Sequence, residues 1–132
     1  MDVLISIKPK YVKKIISKEK KYEFRKNIFK KNVDTIIIYT TSPEKKIEAY
    51  FKLNEIIKDT PKNLWKRFSK EGGISEDEFF DYFKGKDEGY ALKIDDLKIL
   101  DESIDTSEIK DFKAPQNYFY VNKEELLSIK SE

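Results

Sequence analysis

The chain has 132 residues, 39% of them apolar and 14% aromatic, which suits one domain with a core of its own. It contains no cysteine and no histidine, which excludes cysteine nucleophiles, Ser-His-Asp triads, zinc fingers and any metal site built on those two residues. The net charge of +2 hides a division: residues 1–66 hold 17 basic and 8 acidic residues (+9), and residues 67–132 hold 10 and 17 (−7), a polarity that fits either an anionic partner on one face or a solvated charge-rich surface.

The start, MDVLISIKPKY, lacks the basic segment and cleavage site of a secretory signal, and no apolar run reaches the ~20 residues that span a bilayer. A cytoplasmic protein without membrane contact is expected. Val3–Ile7 predicts a short apolar strand. Pro9 then opens a helix over 9–17, with Tyr11, Val12, Ile15 and Ile16 on one face and Lys10, Lys13 and Lys14 on the other. After the basic turn 18–21, Tyr22-Glu23-Phe24-Arg25 alternates like a strand: Tyr22 and Phe24 on one face, Glu23 and Arg25 on the other. Thr35–Thr40, rich in β-branched residues, predicts a central strand. Lys46–Ile57 predicts another, bent near Leu53-Asn54.

Thr60-Pro61 is an N-cap followed by a first-turn proline, and opens a helix over 61–70. Ser75 and Glu78 form a capping box for a further helix that stops at Gly85. Trp65, Phe68, Phe79, Phe80 and Phe83 are expected in the core. Gly89–Leu100 predicts a strand with a bulge at Asp95-Asp96, and 101–114 a polar, irregular stretch. Pro115-Gln116 leads into a last strand, Asn117–Val121, and Asn122 caps a helix over 123–130. Strands are mostly consecutive, with two helices inserted together. That order predicts a single α+β domain over 1–132 around a small, mostly antiparallel sheet or barrel.

Two residues apart on one strand, Glu23 and Arg25 share a face, and Lys20 precedes them in the turn. Two cations and a carboxylate thus converge. Arg offers a planar fork to phosphate or a base edge, Lys a point charge, and Glu an acceptor for a base amino group. The same trio also fits a structural salt bridge on a sheet face. Lys8, Lys10, Lys13 and Lys14 extend the basic surface, either as a solvated helix face or as the frame of a cleft for a phosphate backbone. Ser42, in the Thr41-Ser42-Pro43 turn, offers a hydroxyl to a ligand or makes an ordinary turn. Gln116 and Tyr118 lie at the last strand, where an aromatic beside basic residues serves base stacking or core packing. Glu76, Asp77 and Asp81 complement a helix N-terminus and are not read as metal ligands. The four glycines never form a phosphate-binding loop, and no cofactor or metal is expected.

The run Lys18-Glu19-Lys20-Lys21-Tyr22-Glu23-Phe24-Arg25 resembles the ASCH domain signature G-x-K-x-x-E-x-R. Lys20, Glu23 and Arg25 match it and Lys18 replaces the glycine. The opening LISIKPKY, Tyr39–Pro43, Gly89-Tyr90-Ala91-Leu92 and Pro115-Gln116 are similar to small stand-alone prokaryotic members. The resemblance implies a PUA-like barrel with flanking helices and an RNA or nucleotide partner held at Lys20, Glu23 and Arg25, to which the residue reading adds Lys8, Ser42, Gln116 and Tyr118. It also implies alternatives. Some relatives resemble ribonucleases, some are coactivator-like domains with a protein partner, and some are amidohydrolases acting on acetylated cytidine through Lys, Thr and Glu. The threonine position of that last group is Glu23 here, and a carboxylate does not replace a hydroxyl nucleophile.

Overall fold

The computed structural model describes residues 1–128. Its six strands are β1 (Asp2–Ile7), β2 (Tyr22–Arg25), β3 (Thr35–Thr40), β4 (Lys46–Asp59), β5 (Gly89–Asp105) and β6 (Tyr118–Val121). Its helices are α1 (Pro9–Ile16), α2 (Pro61–Phe68), α3 (Glu76–Tyr82) and α4 (Lys123–Ser128). The strands form one sheet in the order β2-β5-β4-β3-β1-β6. Among the described residues only β1 and β3 run parallel, because α1 and β2 form the crossover between them. The other pairings are antiparallel, so the expected α+β class and mostly antiparallel sheet hold.

The run TIIIYT explains the centre of the sheet. Ile36, Ile37 and Ile38 are fully buried, which a strand achieves only with both faces covered. Ile36 and Ile38 pack on α1 through Val12 and Ile15, together with Val3, Ile5 and Phe51. Ile37 and Tyr39 face the opposite cluster, with Leu4, Ile47 and Ile104, which Leu126 and Leu127 of α4 help to cover. A third cluster joins the α2–α3 insertion to β2. There Phe79 meets Phe24 edge-on at 4.9 Å and is flanked by Leu64, Phe68 and Phe83. The sheet curls into a half-barrel, with β2 and β6 as its two edges.

Local rules placed most boundaries. Thr60 and Ser75 cap α2 and α3 by accepting from the amides of Asn63 and Glu78. The bend in β4 falls between Leu53 and Ile56, and the β5 bulge between Asp95 and Lys98, with Asp96 in the left-handed region. Two expectations are corrected. β5 continues to Asp105, because Ile104 pairs with Ile47 and is buried, while Asp101, Glu102 and Asp105 around it are exposed. Phe80 is exposed, since it lies about 100° round the helix from the buried Phe79 and falls on the outer side. The last helix is described to Ser128, and residues 129–130 of the expected 123–130 helix lie outside the described residues.

Candidate functional site

A cavity of about 670 Å³ opens between α1, β2, the end of β1 and α3. Among its lining residues are Lys8, Lys20, Glu23, Arg25 and Gln116, five of the seven expected from the sequence. Ser42 and Tyr118 do not line it. Ser42 is exposed on the β3–β4 turn, where Thr41 faces the cavity in its place. The ring of Tyr118 meets Phe29 edge-on at 4.8 Å and packs against the α1-side core. Lys10, Lys13 and Lys14 also lie outside the lining, so the basic face of α1 does not frame the cavity.

The turn after α1 sets the first charge. Lys18 adopts φ 70, the left-handed conformation that follows many helices, and so keeps the chain reversal that a glycine makes easily. The reversal puts Lys20 under the α2–α3 connection, where its side chain is 2% exposed. Gly73, at φ 60, packs so closely that a β-carbon there would stand 2.5 Å from Lys20 Cβ. Lys20 Nζ donates to the Gly72 carbonyl at 2.7 Å and lies 3.5 Å from Glu23 Oε1. The rings of Phe24 and Tyr11 stand below it at 4.9 and 5.5 Å. Burial lowers the Lys20 pKa, and the nearby Glu23 charge opposes that shift.

Alternation in β2 turns Glu23 and Arg25 to the cavity while Phe24 enters the insertion core. Arg25 Nη1 donates to Glu23 Oε2 at 3.2 Å and to the Ser6 carbonyl at 3.4 Å. Its Nη2 donates to the Asn117 carbonyl at 3.3 Å and to Asn117 Oδ1. Arg25 therefore fastens edge strand β2 to the end of β1 and the start of β6, across the open side of the half-barrel. The guanidinium fork is committed to protein acceptors. Glu23 is the group both cations support, one on each oxygen.

The sequence reading missed the opposite wall, formed by Tyr11, Glu78, Asp81 and Tyr82. Glu78 Oε2 accepts from Lys10 Nζ and from the Tyr11 hydroxyl, both at 2.5 Å. These bonds hold the Glu78 carboxyl down to about 2. The Tyr82 hydroxyl accepts from the Lys26 amide at 3.1 Å, and Lys26 Nζ stands 4.6 Å from the Tyr82 ring centre. Burial raises the Tyr82 pKa. The signal for Glu78 was present in the capping box, but a capping role already accounts for that residue. The cavity thus carries Lys8, Lys20, Arg25 and Lys26 against Glu23, Glu78 and Asp81.

Residues 5–95 match the ASCH domain family. The "ASCH domain-containing ribonuclease" of Zymomonas mobilis subsp. mobilis is 30% identical over 99% of this chain and 93% of its own length. The crystal structure of ASCH from Zymomonas mobilis superposes with a TM-score of 0.86 at 29% identity, covering 98% of this chain and 94% of that one. The large ribosomal subunit protein uL22 of Ureaplasma parvum serovar 3 is 29% identical over 90% of this chain, within 39% of its own length.

Proposed function

The chain belongs to the ASCH domain family, and from that premise we propose that it binds RNA, taking one nucleotide of a single strand into the cavity around Lys20, Glu23 and Arg25. The observation that carries this reading is the cavity with its buried charged trio. Its volume of about 670 Å³ lies within the ~300–1,000 Å³ usual for small-ligand sites. Strongly perturbed or paired ionisable groups inside a cleft mark functional positions more often than chance. The names of the Zymomonas and Ureaplasma relatives both concern RNA, and the fold is of the α+β PUA-like kind.

The roles differ from a simple basic patch. Lys20 and Arg25 are positioning residues that hold Glu23. Lys8 and Lys26, less committed at the cavity wall, meet phosphates, and Tyr11 and Tyr82 supply apolar walls for a base. Titrating labelled single-stranded RNA across a salt series tests this. Two to three phosphate contacts give a log–log slope of roughly −1.4 to −2.1, and Lys26→Ala reduces it by about 0.7. Lys13→Ala, outside the cavity, leaves the slope almost unchanged. The absence of binding by any strand at low salt refutes the reading.

Cleavage is the second reading, favoured by the ribonuclease name of a relative aligned along nearly the whole chain. In it, Glu23 accepts the proton of a 2′-hydroxyl while Lys8 or Lys26 meets the charge developing on the phosphate. Strand scission in the same tubes, abolished by Glu23→Gln, identifies it. Deacetylation of acetylcytidine has less support, because the nucleophile position holds a carboxylate already bound by two cations.

A further inference from the structure

Resting on the reading of the cavity as an RNA site, the geometry points to guanine as the base it selects: we infer that Glu23 reads the Watson–Crick edge of a guanine through both carboxylate oxygens. The argument is one of unused hydrogen-bonding capacity. All four Nη hydrogens of Arg25 are directed at protein acceptors, namely Ser6, Glu23 and Asn117 twice. Lys20 is committed to the Gly72 carbonyl and to Glu23, and lies over two rings. Neither cation retains a free fork for a ligand. Glu23 differs. A carboxylate has about four acceptor sites. Here each oxygen faces one cation, Oε1 towards Lys20 and Oε2 towards Arg25. With one site taken on each, one acceptor site remains on each of the two oxygens of a residue that lines the cavity.

The complement of two adjacent acceptors is two adjacent donors. Guanine presents them, with its ring N1–H beside its amino group. Adenine and cytosine set an amino group beside an unprotonated ring nitrogen, whose lone pair would oppose a carboxylate oxygen. Uracil sets its single N–H between two carbonyls. Selection therefore comes from repulsion of three bases as well as attraction of the fourth. The two flanking cations, one on each oxygen, fix the direction of the carboxylate, which makes it a rigid reader. With both remaining sites filled by guanine, Glu23 has no capacity left for a 2′-hydroxyl, so this assignment belongs to the binding reading and not to cleavage through Glu23.

The test uses five labelled pentanucleotides, UUXUU, in which X is guanine, hypoxanthine, adenine, cytosine or uracil. The unmodified protein is expected to bind the guanine strand at least about tenfold more tightly than the uracil strand. The hypoxanthine strand, which keeps the ring N–H and lacks the amino group, should fall between them. Glu23→Gln, which replaces one acceptor by a donor, should compress the guanine preference to within about threefold, with thermal melting confirming that it folds. Equal affinities of the unmodified protein for the five strands overturn the inference and leave the RNA reading standing, whatever the variant does. A folded Glu23→Gln that keeps the full preference also overturns it. If no strand binds, the RNA reading itself is refuted.

Discussion

Arg25 illustrates how a residue's role depends on how many of its donors are taken. As a strand residue in a lysine-rich chain it reads as a phosphate fork. Folded, it joins β2 to β1 and β6, and holds Glu23, with its side chain only 12% exposed. Removing one partner of a buried charged network leaves the other uncompensated, at a typical cost of ~3–5 kcal/mol. Arg25→Ala should therefore lower stability by about 3 kcal/mol, read as a lower urea midpoint with an unchanged slope. Arg25→Lys keeps the charge but cannot reach Glu23, Ser6 and Asn117 together, so it should recover only part of the loss. Full recovery with Lys would show that charge alone matters there.

At the scale of elements, the contact between α1 and α3 depends on pH. Glu78 caps α3 through Ser75, yet also accepts from Lys10 and Tyr11 of α1. Its folded pKa is about 2 against an ordinary value of 4.5. Between those values the unfolded chain binds more protons than the folded one, so stability falls as the pH drops. This contribution is fully present above about pH 4.5 and is lost progressively towards pH 2. Glu78→Gln should melt lower than the unmodified protein at pH 7, with the difference shrinking as the pH approaches 2. Melting curves that stay parallel over that range would mean the α1–α3 contact is held by apolar packing alone.

For the whole molecule, the cavity exists because the α2–α3 insertion leans on β2. Phe79, with none of its surface exposed, is the centre of that contact. Phe79→Ala should cost ~3–5 kcal/mol, as large-to-small core changes do. It should also weaken RNA binding, because the insertion supplies Gly72, Glu78 and Tyr82 around the site. Chemical denaturation and a binding titration on the same variant check both. Loss of stability with undiminished binding would show that the insertion does not shape the site.

What the sequence determined by itself was local. Pro9, Thr60-Pro61 and the Ser75–Glu78 box start the helices because a cap acts within four residues. The alternation from Tyr22 to Arg25 separated cavity from core because a strand has period two. The β-branched run at Thr35–Thr40 announced the central strand. The matching Lys20, Glu23 and Arg25 pointed to the family through residues five apart at most. The tertiary structure alone decided what those charges touch. Arg25 meets Asn117 at a separation of 92 residues, Lys20 meets Gly72 at 52, and Glu78 meets Lys10 at 68. The same holds for β5 beyond Leu100, whose polar residues read as loop until pairing with β4 turns Ile104 inward. Periodicity and capping record a residue's neighbours along the chain. Which donor is consumed and which acceptor is left open depends on groups brought together only when the sheet curls and the insertion docks.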